Sequence, residues 1–356
     1  MSDFKEFPCP NCSSELNYDA EKNDLKCLHC HTVFSIEKSD ELIAEITIDS
    51  FNSAISSHML PINDVNYKCS KCGQETKLKE DIAFFECRNC GNNVINASAY
   101  KSRTIVPSSI IPFAVSKDKA MEHFIAWIGK GFWNDSSLKE LSIADNLVGH
   151  YIPFWTFDAN TENQWSGQSG TYYYVTESYR DSQGKSQTRS VRRTRWQYKE
   201  GQFSQFFNDI LICGNQEITQ DYINKIYPFH LDELKPLNEK YLLGWNAKAF
   251  DKDMNDSYTL SKNFITSKVE EMAATYLAAD TYSGLEVSTE FCDETYKHII
   301  LPVWFCEYLF KDKKYFFIIN GQTGAIHGEK PLSTTKIVTA IVLAVIFVIV
   351  LFMAFS

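Results

Sequence analysis

The chain has 356 residues, of which 44% are hydrophobic, so it can form two ordinary domains, or one domain with small modules, around a packed core. Its formal net charge of −10 argues against nucleic acid as the partner of the whole molecule. The first residues, MSDFKEFPCPNC, lack the basic and apolar segments of a secretory signal, so we do not expect the N-terminal part to be exported.

Along the chain, the first pattern is a repeated block of cysteines with the spacing C-x2-C-x14-C-x2-C. Each C-x2-C pair can form a tight turn that directs two thiolates at one ion, and two pairs complete a tetrahedral site. We therefore predict two zinc ribbons made of short strands, each holding one Zn²⁺. The eight predicted ligands are Cys9, Cys12, Cys27 and Cys30 in the first block and Cys69, Cys72, Cys87 and Cys90 in the second.

These cysteines have two alternative uses. Iron binds similar cysteine pairs, but an isolated redox site beside a second copy, with no electron-transfer partner, is a less economical explanation. Disulfides are disfavoured because a cytosolic chain is kept reduced. His29 and His31 flank Cys30, but four cysteines already close the site, so we interpret both histidines as surface residues. A closed site offers no position for water, which predicts a structural or docking role and not a catalytic one.

The spacing of the blocks defines the N-terminal organisation. Ribbon 1 is predicted at residues 1–38 and ribbon 2 at residues 65–97, joined by a linker at residues 39–64 that is expected to be partly helical. Each ribbon is too small to build a core of its own. Metal binding must therefore supply much of its folding free energy.

Residues 98–336 follow as an aromatic-rich cytosolic domain of the α+β class. Helices are predicted after Ser116, a suitable N-cap, and after Ser261, because apolar residues recur there at helical spacing. Aromatic segments between and beyond them predict strands, and a turn signal at Asn320 and Gly321 ends one of the last strands.

A strongly basic segment lies within this domain at residues 180–199. The turn signal Asp181-Ser182-Gln183-Gly184 separates two strand-like arms, which predicts a long β-hairpin. Anionic lipid headgroups or an acidic partner would bind such a hairpin, at about 1 kcal/mol per basic residue near a charged bilayer. Alternatively, the charges only keep the hairpin soluble. The seven basic residues are Arg180, Lys185, Arg189, Arg192, Arg193, Arg195 and Lys199.

The last segment, residues 337–355, contains no charged residue and is predicted to be a transmembrane helix. A buried core helix is the alternative, but such a helix rarely lacks a polar face over five turns. Lys330 and Lys336 precede the segment, which predicts that the N-terminal domain lies in the cytoplasm. We therefore expect a single-pass protein of the cell membrane with a C-terminal anchor.

The sequence contains no recognisable catalytic motif. Gly-rich phosphate loops, GxSxG elbows and HExxH metal helices are absent from it. Cys213, Cys292 and Cys306 stand among apolar neighbours and are expected to be core residues. We therefore predict that the protein is not an enzyme, although catalytic groups that converge only in space leave no motif in a sequence.

Several blocks together resemble a known family. They are the cysteine turns CPNC and CSKCG, then YIPFWTFD, RTRW, YPFHLDELKPLNEKYLLGW, LPVW and INGQTG. The chain resembles bacterial tail-anchored zinc-ribbon membrane proteins, which are often mislabelled as primosomal helicase-like or TFIIB-type zinc-ribbon proteins. Some members are similar to the membrane anchor of an envelope-stress system, which recruits a flotillin-like (SPFH) protein and, through it, a phage-shock coat protein.

The resemblance implies an adaptor whose ribbons dock cytosolic proteins, in some cases together with a second membrane protein. A competing hypothesis is a membrane-tethered regulator that binds nucleic acid through the ribbons and the basic hairpin, with Trp196 and Tyr198 as stacking residues. A hydrolase with a pocket in the aromatic domain is the third. The adaptor is favoured because it uses the two closed metal sites and the anchor together.

Overall fold

The structure, a computed structural model, describes residues 4–37, 39, 42–49, 64–69, 71–79, 84–87, 89, 93–96, 107–135, 146–180, 182–248, 252, 254–311 and 313–355. Nearly half of these residues lie in strands, and several α-helices accompany them. The predicted mixture of helix and sheet is therefore confirmed. An apolar C-terminal helix is confirmed as well.

Short strands build the N-terminal part of the chain. They form two three-stranded sheets, β2-β3-β4 and β1-β9-β8, and the pair β6-β7, while β5 joins the sheet of the following domain. The first strand of the chain thus lies in a sheet with the last two strands of the N-terminal part. The strands are β1 (Phe4–Glu6), β2 (Leu16–Asp19), β3 (Asp24–Cys27), β4 (Val33–Phe34), β5 (Ile46–Thr47), β6 (Asp64–Lys68), β7 (Glu75–Lys79), β8 (Phe84–Glu86) and β9 (Asn93–Asn96).

The following domain combines one large sheet with helices and ends in an apolar helix. Short 3₁₀ turns at Leu231–Glu233 and Glu239–Leu242 lie between its elements. The elements are β10 (Ser109–Ile110), α1 (Lys117–Ile128), β11 (Leu147–Arg180), β12 (Ser186–Cys213), α2 (Gln220–Lys225), β13 (Lys235–Pro236), β14 (Asn246–Ala247), α3 (Met254–Leu277), β15 (Thr281–Phe310), β16 (Lys313–Asn320), β17 (Ile326–Gly328) and α4 (Thr334–Phe355).

Three very long antiparallel strands dominate the large sheet. β11, β12 and β15 have 34, 28 and 30 residues, and β11 lies between the other two. The pairing of β11 with β12 runs from Phe154 opposite Cys213 to Arg180 opposite Ser186. The pairing of β11 with β15 ends at Gly170, so β11 and β12 continue beyond it as a two-stranded ribbon.

The burial of β11 changes along its length because its surroundings change. Residues 151–159 are buried without interruption, since both faces of the sheet are covered there. From residue 160 onwards exposed positions alternate with buried ones, because helix α3 covers one face only. On the covered face, Ala159 packs against Ile265 and Val269 of α3. Leu277, at the end of α3, lies against Gly167 and leaves no room for a side chain there.

Aromatic side chains form the centre of the core. The ring of Phe113 stacks on Trp245 at a centroid distance of 3.8 Å, and its edge meets Tyr151 at 5.1 Å. Tyr18, from the first cysteine block, belongs to the same cluster: its hydroxyl donates to the carbonyl of Phe113 and its N–H donates to the carbonyl of Leu243. The first block is therefore packed on the large domain.

A buried lysine connects the linker between the cysteine blocks to the large sheet. The Lys297 ammonium lies 2.8 Å from an Asp209 oxygen, 3.0 Å from a Glu45 oxygen and 3.7 Å from an Asp158 oxygen. The side chains of Lys297 and Asp158 are only 9% and 2% exposed. Burial raises the pKa of Asp158, and the neighbouring lysine opposes that effect. The cluster therefore keeps a buried carboxylate next to its counter-charge.

We expect the substitution Lys297→Met to destabilise the full chain by about 3 kcal/mol, because it leaves Asp158 buried without a cation. The loss should shrink at low pH: the raised pKa of Asp158 makes the folded variant bind a proton that the unfolded chain does not bind. Chemical denaturation in detergent at several pH values measures both effects. Lys314→Met is the control, because the Lys314–Glu307 pair is exposed to solvent and should contribute little to stability. Equal losses for the two variants would contradict this prediction.

Candidate metal centres, basic arm and membrane helix

Four cysteines of the first block converge on one point. Their sulfur atoms all lie within 4.8 Å of one another, with Cys9 and Cys30 at 3.7 Å and Cys12 and Cys27 at 3.5 Å. Four sulfurs at about 2.3 Å from a tetrahedral ion are about 3.8 Å apart, so this spacing fits a bound metal ion. Because all four ligands are protein thiols, a metal held here would have no open position for a substrate.

The local backbone explains how the sulfurs meet. In the first turn, the N–H of Cys9 donates to Ser14 and the N–H of Ser13 donates back to Cys9; the N–H groups of Cys27 and His31 repeat this pattern in the second turn. Ser13 and His31 have positive φ angles of 60° and 57°. This left-handed residue reverses the chain just after each C-x2-C pair, so that both thiols point inward.

Thr32 lowers the pKa of the Cys30 thiol. Its side chain and backbone hydrogen-bond to the sulfur of Cys30 and lower the pKa of that thiol to about 5. The thiolate is the form that binds a metal ion, so Cys30 is prepared for coordination at neutral pH. Both neighbouring histidines, His29 and His31, are exposed.

The second block repeats the first turn. Cys69, Cys72 and Cys87 place their sulfurs within 4.8 Å of one another, and the predicted fourth ligand, Cys90, lies outside the described residues. The N–H of Cys69 donates to Gln74 and the N–H of Gly73 to Cys69, as in the first block. Gly73, with a φ of 73°, occupies the left-handed position. The two clusters can therefore hold metal ions in the same way.

We call each cysteine cluster together with its short strands a cysteine module; the first contains β2, β3 and β4, and the second contains β6, β7, β8 and β9. The two cysteine modules are in direct contact. Lys71 of the second forms an ion pair of 2.9 Å with Glu15 of the first. Strand β1, which precedes Cys9, pairs with β9 from Glu6 opposite Val94 to Phe4 opposite Asn96. This pairing of β1 with a strand of the second module could not be predicted from the sequence, because a three-residue strand has no distinctive pattern of its own.

The three other cysteines lie apart from these clusters. Cys213 and Cys306 are buried, as expected, and burial raises the pKa of the Cys306 thiol to about 12. Cys292 differs from the expectation: it is partly exposed on the long sheet near Glu290 and Glu162. Among the described residues, the two cysteine modules are the candidate metal sites.

The predicted basic residues are spread over the two-stranded ribbon and do not form one patch. We call residues 171–195 the basic arm. On one face, Arg189 and Arg193 both bind Glu177, at 3.3 and 2.6 Å, and Arg195 lies over the ring of Tyr173. Positions of opposite parity face the other way: Arg192 lies over Tyr172 on the second face, which also carries Arg180. Lys185 lies at the turn between the strands, and Lys199 lies inward of the arm, paired with Gly167.

The C-terminal helix is apolar and unburied. Over Thr334–Met353 its mean hydropathy is 3.0 and none of it is buried in the protein, so α4 is long and apolar enough to span a membrane. We call residues 330–336, just before and at the start of this helix, its root. The root contacts the end of α1 and the loop that follows it. The N–H of Ser333 donates to Trp133, and the Lys336 ammonium donates to Asn134 at 2.8 Å. Lys330 donates to the carbonyl of Trp127 in α1.

These contacts locate the first cysteine module relative to α4. Ser116, just before α1, donates to Glu21 of that module, whereas the other end of α1 contacts Lys330. Helix α1 has 12 residues. A helix of this size is about 18 Å long, so the module lies roughly one short helix away from the root of α4.

The basic arm lies at the opposite end of the sheet. Gly328, Phe317, Cys306 and Leu147 are paired in one row across neighbouring strands, and the short segment from Gly328 to α4 spans at most about 21 Å. From this row to Arg180 the contour of β11 measures roughly 110 Å. The arm could therefore contact a bilayer spanned by α4 only if the sheet lay along that bilayer.

Comparison with known proteins adds one relative. No protein-family model and no solved structure matches the chain. It is similar to the uncharacterized protein YdjG of Bacillus subtilis (strain 168), with 24% identity over 336 residues that cover 93% of this chain and 91% of the relative. The similarity extends over most of both chains. Because the relative is itself uncharacterized, it assigns no activity.

Proposed function

We propose that this protein is a membrane-anchored adaptor that recruits cytosolic proteins through two zinc-loaded cysteine modules. The observation that carries the proposal is the position of the first module. Its four thiols converge at one end of the β2–β3 pair, and the β2–β3 turn at the other end, which contains Glu21, lies about one short helix from the root of an exposed apolar helix, with α1 in contact with both. An assembly of this kind holds a small docking surface close to the membrane.

In this proposal each module is a zinc ribbon. The sulfur distances of 3.5 and 3.7 Å suit a tetrahedral Zn²⁺ site, and zinc performs no redox chemistry of its own. The complete set of ligands in the second ribbon includes Cys90. The metals would fold the ribbons and shape their surfaces, because four thiolates exclude both water and substrate from the ion.

The proposed topology has α4 in the cell membrane and the rest of the chain in the cytoplasm. Lys330 and Lys336 lie immediately before the apolar span, and basic residues favour the cytoplasmic side. A reducing compartment also keeps the cysteines as free thiols. Both lysines donate to backbone carbonyls at the root of the helix, so they also attach the helix to the domain.

For the partner we propose a flotillin-like (SPFH) protein and, through it, a phage-shock coat protein, with a role in the envelope stress response. The support for this choice is the resemblance of the sequence blocks to tail-anchored zinc-ribbon proteins. Nucleic acid is a poorer candidate, because Tyr198, which would stack on bases, donates to the carboxylate of Glu200. Phosphates would be repelled at that point.

Cross-linking in intact membranes tests the adaptor role. Cells producing the full chain are treated with a lysine cross-linker, and bound proteins are identified by mass spectrometry. We expect Cys72→Ser to remove metal from the second module and lower recovery of the main cross-linked partner at least about tenfold, since an unfolded ribbon loses its docking surface. Cys292→Ser, which changes a cysteine outside the clusters, is the matched control. Full partner recovery by the metal-depleted variant would contradict the proposal.

A further inference from the structure

One face of the long sheet is exposed over about twenty residues of each of two strands. Helix α3 covers the side of β11 that carries Ala159, Trp165 and Gly167. Side chains at the even positions therefore point to the other side. We call this surface the open face: the even positions 160–180 of β11, the even positions 186–206 of β12, and residues 286, 288 and 290 of β15.

Large aromatic side chains are exposed on the open face. Tyr174, Trp196, Tyr198 and Phe206 are 69%, 47%, 57% and 52% exposed. Trp196 lies opposite Gly170, and its ring occupies the space that a side chain at that glycine would need. Aromatic residues that remain exposed in the centre of a flat surface are typical of protein interfaces.

The charges of the open face are separated by sign on the two sides of Trp196. On the side nearer the core, every charged residue is acidic. Two of these carboxylates bind neutral hydroxyl groups, Glu162 that of Ser204 and Glu200 that of Tyr198. On the side of the arm, the charged residues are basic. The acidic group is Glu162, Glu200, Glu286 and Glu290, and the basic group is Arg180 and Arg192.

We infer that two copies of this chain associate through their open faces around a two-fold axis at Trp196. Arg192 and Glu200 lie four residues before and four residues after Trp196 on the same strand. If two open faces stack with their β12 strands antiparallel and Trp196 against Trp196, each Arg192 meets Glu200 of the other copy. The same axis passes Gly170 on β11, so each Arg180 lies opposite Asn160 of the other copy, two residues along the strand from Glu162. One surface thus complements itself in charge, as an isologous interface requires.

The size of the open face agrees with a stable dimer. Twenty residues of extended strand span about 66 Å, and two neighbouring strands cover about 10 Å across. The surface is therefore roughly 700 Å² per copy, close to the typical 800 Å² of a specific interface. A second copy is favoured over an anionic membrane as the occupant, because the acidic group would be repelled by the bilayer that attracts the basic one.

Charge reversal with mutual rescue tests this inference. Two differently tagged full-length chains are co-expressed and solubilised in mild detergent, and co-purification of the second tag is measured. We expect Arg192→Glu alone, and Glu200→Arg alone, to lower co-purification at least about tenfold, because each places like charges opposite one another twice in the dimer. Co-expression of the Arg192→Glu chain with the Glu200→Arg chain should restore it, since both pairs are then opposite in charge again.

Arg193→Glu is the matched control, because Arg193 is adjacent to Arg192 but points to the other face, where it binds Glu177. It should leave co-purification unchanged. Loss in both single variants without rescue, or a wild-type chain that is monomeric by mass photometry, would overturn the inference. A wild-type dimer that is unaffected by Arg192→Glu would place self-association elsewhere, for example at α4, and would overturn it too. If Arg192→Glu lowered only the binding to phosphatidylglycerol vesicles, the open face would be assigned to lipid and the inference would be overturned.

Discussion

Deletion of residues 334–356 is expected to move the protein from the membrane fraction to the soluble fraction. Thirteen residues of Thr334–Met353 are Leu, Ile, Phe or Val, and none of the helix is buried in the protein. At roughly 0.3–0.6 kcal/mol for each such residue, membrane insertion is favoured by about 4–8 kcal/mol. Without α4, no helix among the described residues is apolar and long enough to hold the protein in a membrane. Quantitative immunoblots of carbonate-washed membranes and supernatant measure the change, which should be close to complete.

A chain in which residues 337–353 are replaced by an alternating Leu-Ala segment of the same length is the control. It should stay in the membrane, because length and hydropathy, not the detailed sequence, determine insertion. A truncated chain that resists carbonate extraction would show that another part of the protein enters the bilayer. The proposed single-pass anchor would then be wrong.

Cys27→Ser is expected to halve the metal content of the chain, from two zinc ions to one, and to unfold the first cysteine module. Cys27 is fully buried, and its sulfur lies 3.5 Å from that of Cys12. A structural zinc site contributes about 10–16 kcal/mol of apparent binding free energy, which exceeds the stability of most small domains. Loss of one ligand should therefore unfold the module and not merely loosen it. Elemental analysis of the purified full-length protein measures the metal content.

The unfolding should also break the contacts of the module with the large domain, because Tyr18 of the module donates to the carbonyls of Phe113 and Leu243. Hydrogen exchange should then accelerate at Leu16, Tyr18 and Leu25, which are buried in the common core. Cys292→Ser is again the control and should keep both ions and the exchange pattern. A Cys27→Ser chain that retains two zinc ions, or slow exchange in a module without metal, would contradict the expectation.

Helix α3 shows where sequence patterns stop being informative. The apolar repeat places a helix after Ser261, but the structure begins it at Met254. The first turns of the helix, which the apolar repeat does not predict, present Ser257 and Ser261 to the sheet, and both are buried. Their small side chains fit where the helix approaches the strands closely, and such positions carry no hydrophobic signal in the sequence. The start of helix α1 is predicted correctly, because the N-cap residue Ser116 is recognisable in the sequence and its side chain accepts a hydrogen bond from the N–H of Lys119.

The basic arm shows a second limit of a different kind. Counting charges along residues 180–199 predicts a basic hairpin but not which of its charges share a face: the pairing of the strands sends Arg192 to one face and Arg193 to the other. Glu177, which lies outside the counted segment, neutralises part of the second group. Only the register of the strands reveals which charges act together, because a shift by one residue would exchange the two faces.

Features that are encoded locally could be predicted from the sequence. The C-x2-C turns need only a few residues and one left-handed position, as at Ser13 and Gly73, and the apolar helix needs only length and composition. The long-range relations follow only from the tertiary structure: β1 pairs with β9, the first cysteine module lies near α4, and the basic arm lies at the far end of the sheet. These relations depend on strand register and packing between residues far apart in the chain, and no local pattern specifies either of them.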